Sequence, residues 1–195
     1  GWIRANVGPR NIVFVTHEGD ITDDPDTYDY WVRARASMDL IHGFVPYGIG
    51  PGNHDVVGTY GPTTYFNDAA VGFPYTRYAS LPWFGGHYPS ESNENSYPLF
   101  SAGGDDYLIL HLAYNVGGPA ADVLYWADSV LKAHAGRKAI ITTHTFLNSD
   151  GSRSAEGTTI WNNLILTNEN VFLVFCGHFS AEKLRTDVVD GREVH

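Results

Sequence analysis

At 195 residues with 43% apolar side chains, the chain can build one packed core of ordinary size and is too small for two comfortable ones. Its 22 acidic residues against 12 basic ones give a formal net charge of −10, and a field of that sign excludes a tight nonspecific grip on phosphate backbones, so stable nucleic-acid binding is not expected. Aromatics at 14% beside only 17% charged residues exclude global disorder, because that much apolar surface opposes conformational entropy.

Asn11–Thr16 is a short β-branched and aromatic run followed by Gly19-Asp20, which predicts a buried strand delivering a carboxylate near its C-terminal end. From Tyr28 to His42 the apolar residues Trp31, Val32, Ala34, Met38 and Ile41 recur near helical spacing, with Gly43 as a stop, predicting a crossover helix. Phe44–Ile49 reads as a second strand opening into the Gly- and Pro-rich turn Gly50-Pro51-Gly52-Asn53-His54-Asp55. Residues 56–95 mix Gly, Pro, Tyr, Ser and Asn without sustained period, predicting a long surface excursion with at most short local helices. Ser96–Ala102 and Asp106–Tyr114 read as a hairpin about Gly103-Gly104-Asp105. Helical spacing returns over Ala120–Ala135, closed by Gly136. A strand over 138–143 ends at His144; a helix over 157–166 follows, and a strand over 171–176 ends at Gly177-His178. Glu182–Asp187 and Arg192–His195 close the chain as a hairpin around Asp190-Gly191. Strands alternating with helices imply an α/β class with a largely parallel sheet, antiparallel where hairpins occur, in two layered sheets.

Cys176 is the only cysteine, which rules out an internal disulfide framework and a cysteine-rich zinc module. No apolar run reaches the roughly 18 residues of a membrane helix, so no membrane partner is expected, and Gly1-Trp2-Ile3-Arg4 lacks the layout of a secretory signal. The abrupt start and the end at Val194-His195 read as cuts, so residues 1–195 are expected to be a single domain truncated at both ends. Low lysine use with abundant Tyr, Gly and Asn leans toward an exported protein, secreted or periplasmic. Nothing fixes an oligomeric state.

Four predicted strands thus end in side chains of ligand type: Asp20, Asn53 with His54, His144 and His178. Sites in α/β sheets form outside the carboxyl ends of strands, so a common edge would bring these residues together. One carboxylate, one amide oxygen and two imidazoles suit a divalent cation such as Zn, Mn or Fe, whereas Mg or Ca would favour more oxygen ligands. These blocks resemble those of the calcineurin-like metallophosphoesterase family. Gly19-Asp20-Ile21-Thr22-Asp23 is similar to its Gly-Asp-x-x-Asp block, Gly52-Asn53-His54-Asp55 to its Gly-Asn-His-(Asp/Glu) block, Thr143-His144 to its strand-end histidine, and Gly177-His178-Phe179-Ser180 to an incomplete Gly-His-x-His block. The blocks stand in family order from about residue 11 to residue 180.

The resemblance implies a layered β-sandwich flanked by helices, here lacking its first strand, and hydrolysis of phosphomonoesters or phosphodiesters by metal-activated water. It implies that Asp20 bridges two metals, that Asn53, His144 and His178 complete one site, and that His54 and Asp55 form the acid pair, the carboxylate orienting the imidazole. The family's Asp-x-His block has no counterpart in residues 1–19, and Ser180 stands where its last histidine belongs. One intact and one incomplete metal site are therefore expected, with a small phosphoester as substrate.

Each residue also has an ordinary alternative. Asp20 could cap a turn and Asp55 could be a turn residue. His111 reads as a core histidine, Cys176 as inert core, and His17, His42, His87, His134 and His195 as surface residues. Tyr60, Tyr65, Tyr75, Tyr78, Trp83 and Tyr88 either pack the excursion or line a cleft that stacks on sugar or base rings. Two competing functions follow: a noncatalytic module keeping the fold and a degenerate metal site, and a glycan-binding protein using the aromatic excursion.

Overall fold

The computed structural model describes residues 1–58, 63–115 and 121–195. β1 (Val15–His17) and β2 (Tyr47–Ile49) pair in parallel, and a parallel pair needs a crossover, which α2 (Tyr28–Asp39) supplies. Ahead of them lies a short helix, α1 (Trp2–Asn6). The main sheet runs in the order β3 (Phe84–Tyr88), β4 (Asn95–Ala102), β5 (Asp105–Leu112), β6 (Lys138–Thr143), β7 (Val171–Phe175). Its first three strands are antiparallel neighbours, and β5, β6 and β7 are parallel. α3 (Ala121–Ala133) connects β5 to β6. α4 (Ala155–Ile160), extended by a π-turn over Trp161–Ile165, connects β6 to β7. A hairpin of β8 (Asp187–Val189) and β9 (Arg192–Val194) follows, and His195 beyond it bonds to the backbone of Phe172 and Val174 in β7.

Alternation along β5 sets the layers. Leu108, Leu110 and Leu112 point into a core with Ala127 and Leu131 of α3, Ile141 of β6, and Ile160 and Leu164 on the far side of the crossover. Each such fully buried aliphatic side chain contributes about 2 kcal/mol of transfer free energy. His111, on the opposite face, abuts Gly48 of β2, where any Cβ would run into the imidazole. Phe14 stacks on Phe100 at 5.2 Å and on His111 at 6.2 Å, so the two sheets face one another across an aromatic seam. A second core lies on the outer face of the small sheet, where Trp31 and Ala34 of α2 meet Tyr47, Ile49, Phe66, Phe73 and Tyr78.

Several sequence expectations shift. The first strand covers Val15–His17 rather than 11–16: Asn11, at the start of the run, is left-handed with φ 51°, and pairing with β2 begins only at Val15 opposite Tyr47. The excursion over 56–95 carries the short 3-10 turn Tyr75–Arg77, and it also yields β3, an edge strand its glycines concealed. Gly85 and Gly86 are there because the Tyr97 ring lies where their side chains would be. The aromatics of that segment pack: Tyr78 is buried, Tyr75 stacks on His87 at 4.2 Å, and Tyr88 stacks on Trp126 at 5.6 Å. Tyr60 and Ala120 lie outside the described residues. Both hairpin turns match expectation: Gly103-Gly104 and Asp190-Gly191 have φ of 62°, 90°, 50° and 82°, the positive pair a type I′ turn requires. Glu182–Thr186, expected in the closing hairpin, precede it without strand structure. No helix among the described residues is long and apolar enough to cross a membrane.

Candidate metal centre

Four chain segments converge at the C-terminal tips of β1, β2, β6 and β7. Beyond β1, Gly19 takes φ 95° and Asp20 φ 54°, a left-handed pair that turns the carboxylate inward. Beyond β2, a 3-10 turn over Asn53–Asp55 presents Asn53. His144 follows β6 directly, and His178, with φ 66°, lies three residues past β7. Left-handed backbone at two non-glycine residues costs of order 1 kcal/mol each, and such strain gathers at functional sites.

The side chains meet. His144 Nε2 lies 2.9 Å from Asn53 Oδ1, 3.2 Å from Asp20 Oδ2 and 3.1 Å from His178 Nδ1, and His178 Nδ1 lies 2.8 Å from Asn53 Oδ1. Ligand atoms about 2.1 Å from one cation at right angles stand about 3.0 Å apart, so these separations match the edges of a single coordination shell. The other ring nitrogen of His144, Nδ1, donates to the Glu18 carbonyl at 2.7 Å. That bond fixes the tautomer, so a neutral imidazole turns the Nε2 lone pair toward a carboxylate oxygen, an amide oxygen and a second ring nitrogen. A cation placed among these acceptors would satisfy them together. Among the described residues no three His, Cys, Asp or Glu side chains form such a group by themselves; the amide oxygen of Asn53 is the common neighbour of both imidazoles and completes the set. By donor chemistry and spacing, the four residues fit a divalent cation.

Glycines make the convergence possible. A Cβ on Gly52 would occupy the place of the Asp20 carboxylate and come within 2.8 Å of His144 Nδ1; one on Gly19 would strike the backbone of Gly52. Asp55, at 0% exposure, binds the two turns together. It accepts from Gly52 N at 2.8 Å, Thr22 N at 2.9 Å, Thr22 Oγ1 at 3.0 Å and Ile21 N at 3.2 Å. Its oxygens are thereby used, and it makes no bond to the His54 imidazole. The expected acid pair is corrected accordingly: His54 Nδ1 donates to the Asp23 carbonyl at 2.9 Å, and its backbone N–H donates to Asp20 Oδ1 at 2.9 Å. The imidazole of His54 is exposed, and its contacts with Asp23 run through Nδ1.

Electrostatics follow from these contacts. Burial opposes charge on Asp20, but the His144 hydrogen bond and the His54 N–H outweigh it and hold the carboxyl below its usual range. Burial likewise works against a charged His144, yet Asp20 and the Glu18 carbonyl win and raise it. His178 is lowered by burial and by His144 beside it. The Asp23 carbonyl raises His54 against slight burial.

Three groups escaped the sequence reading. His17 is half-buried, with Nδ1 unpartnered, and is lowered by burial despite Glu18, Asp55 and Asp20 nearby. Tyr114, two residues beyond β5, lies 5.8 Å from the ring of His144 and 6.0 Å from that of His178. Phe179 meets His178 edge-on at 4.6 Å. A fifth strand tip, at the end of the β-rich run over 106–114, was the available signal for Tyr114.

A family model described as calcineurin-like phosphoesterase matches residues 2–180. The chain belongs to the calcineurin-like phosphoesterase family. It is 33% identical over 190 residues to an uncharacterized protein, YvnB, of Bacillus subtilis (strain 168); the match covers 97% of this chain and 14% of that protein's length. Its fold is similar to that of a purple acid phosphatase from yellow lupin (Lupinus luteus) seeds, with a TM-score of 0.55, 20% identity, and coverage of 90% of this chain and 32% of the other. The layered α/β fold, with helices outside the sheets, agrees with that membership.

Proposed function

We propose that this chain hydrolyses small phosphomonoesters or phosphodiesters at a centre where Asp20, Asn53, His144 and His178 hold Mn, Zn or Fe and His54 assists the leaving group. One observation carries the proposal: four donor atoms from four strand tips stand 2.8–3.2 Å apart around His144 Nε2 and Asn53 Oδ1. When bound, a divalent cation lowers the pKa of coordinated water and neutralises phosphoryl oxygens. The chain's own groups do the rest. Asp20 and Asn53 from the small sheet and His144 and His178 from the main sheet would hold that cation between them. His54, anchored through Nδ1 on Asp23, keeps Nε2 free to give a proton to the departing oxygen. Asp55 is a positioning residue.

We place the missing Asp-x-His block in chain outside residues 1–195. Among the described residues β1 pairs with β2 alone, which leaves its other edge free to take a further strand. The competing reading, a noncatalytic metal-binding module, is favoured by exposed Ser180 where a histidine would complete the second site.

Turnover of chromogenic phosphate mono- and diesters with added manganese tests the proposal. His54→Ala is expected to lower kcat by about 10²- to 10⁴-fold with manganese affinity retained. Unchanged turnover removes His54 from the reaction, and zero turnover at full metal loading of the wild type establishes the noncatalytic module.

A further inference from the structure

Beside the four donor atoms stand two rings that the hydrolytic chemistry does not use. Tyr114 follows β5 by two residues, and its backbone N–H is tied at 2.9 Å to the Pro51 carbonyl, so it is registered on the same turn that carries Asn53. Its ring is inclined 31° to the imidazole of His178, with centroids 6.0 Å apart, and meets His144 edge-on at 5.8 Å. Phe179 stands at 79° to His178 with centroids 4.6 Å apart and is 39% exposed. His178 is thus flanked by one ring nearly parallel to it and one nearly perpendicular. Tyr114 is half-buried.

This differs from four aromatics of the excursion over 56–95. Tyr75, Tyr78, Tyr88 and Trp83 are each engaged by neighbouring rings, whereas Tyr114 and Phe179 pack on the candidate ligands themselves, Tyr114 half-buried and Phe179 39% exposed. Exposed aromatic surface beside a polar centre is costly in water and gains when a flat group covers it. A phosphoryl group held at the four donors would bring its ester substituent within reach of these rings. Both lie about 6 Å or less from the imidazole of His178, the spacing of stacked ring pairs.

We propose, resting on the hydrolase assignment above, that Tyr114 and Phe179 form an aromatic wall selecting phosphate esters of flat, ring-bearing alcohols, aryl or nucleoside, over those of small alkyl alcohols. The wall acts through ring surface. It makes Tyr114 and Phe179 specificity-determining residues, with the Tyr114 hydroxyl dispensable.

Phosphonates separate binding from turnover, since their carbon–phosphorus bond is not hydrolysed. Calorimetry on the protein at its full natural length, with manganese present, compares phenylphosphonate with methylphosphonate. Stacking on a side chain is worth about 5- to 100-fold in affinity, so phenylphosphonate is expected to bind at least about fivefold more tightly. Tyr114→Phe should keep that ratio, while Tyr114→Ala and Phe179→Ala should bring it toward one without changing manganese affinity. The preference in kcat/KM for 1-naphthyl phosphate or adenosine monophosphate over glycerol 2-phosphate should fall in the same two variants, and whichever ring substrate falls further is the natural type. Equal binding of the two phosphonates by the wild type overturns the wall with the hydrolase intact. A ratio lost in Tyr114→Phe as fully as in Tyr114→Ala also overturns it, in favour of a hydroxyl contact to the phosphoryl group. Binding of neither phosphonate despite bound manganese sinks the hydrolase assignment and the wall together.

Discussion

Asp55 and His111 have the same burial, 0% exposed, and opposite electrostatic solutions. Asp55 keeps a buried carboxylate by collecting four donors from Gly52, Ile21 and Thr22, which offset the loss of hydration. Asp55→Ala leaves three backbone N–H groups facing an empty site. The expected cost is about 3 kcal/mol in urea unfolding, with a 10- to 100-fold loss of manganese affinity as the Asp20 and Asn53 turns drift apart. Unaltered affinity by calorimetry would deny the carboxylate its positioning part. His111 has Thr142 Oγ1 at 2.7 Å from Nδ1 and nothing on Nε2, and burial lowers its pKa to about 3. Because this folded-state value lies below the unfolded 6.5, the unfolded chain binds the extra proton first. Stability from this residue is fully present above pH 6.5 and is lost as pH falls toward 3. The loss between pH 8 and pH 5 comes to about 2 kcal/mol. Chemical unfolding of wild type and His111→Leu at both pH values isolates it; equal slopes in the two proteins would mean that the ring is hydrated or protonated in the fold.

At the scale of elements, what was legible depended on whether the signal was local. The strands over 138–143 and 171–175, and the helix over 121–133, announce themselves because burial on both faces or one stripe writes a period into the sequence. Asp20, Asn53, His144 and His178 were legible as strand-end residues, since polar side chains interrupt β-rich runs there. β3 was not, because its residues are chosen by Tyr97 of the neighbouring strand rather than by β propensity. The use of Asp55 was hidden for a related reason: its partners lie 33 and 34 positions upstream as well as on its own turn. Helix α4 packs against the segment that follows His144. Ser154 caps it by accepting from Gly157 N at 2.9 Å, and Gly157 lies against the Phe146 carbonyl so closely that a Cβ cannot fit. Ser154→Ala is expected to cost about 1 kcal/mol and to leave the manganese constant alone. Gly157→Ala should both destabilise the fold and weaken manganese binding, because the Phe146 carbonyl that its Cβ would strike lies only two residues beyond His144. If calorimetry finds the metal constant the same in both variants, the α4 contact does not reach the centre.

Across the whole molecule, the centre sits where two sheets end. Asp20 and Asn53 extend from the small parallel sheet, His144 and His178 from the main one, and the seam between the sheets is otherwise filled by Phe14, Phe100, Trp83 and His111. A cation held by all four side chains would therefore cross-link the two sheets, and a net charge of −10 favours its uptake. Binding to the folded state alone stabilises by about 2.7 kcal/mol when the free ion is at 100 times its dissociation constant. The unfolding midpoint should rise linearly with the logarithm of manganese concentration above that constant and fall back on addition of a chelator. Magnesium and calcium should shift it less, since two of the four donors are imidazole nitrogens. Asn53→Ala combined with His178→Ala removes the shared amide oxygen and one imidazole while leaving both cores whole. In that variant the midpoint without metal should stay within a few degrees of wild type, and the dependence on manganese should vanish. A manganese shift that survives the double substitution would locate the ion elsewhere, and the two sheets would then be joined by their aromatic seam alone.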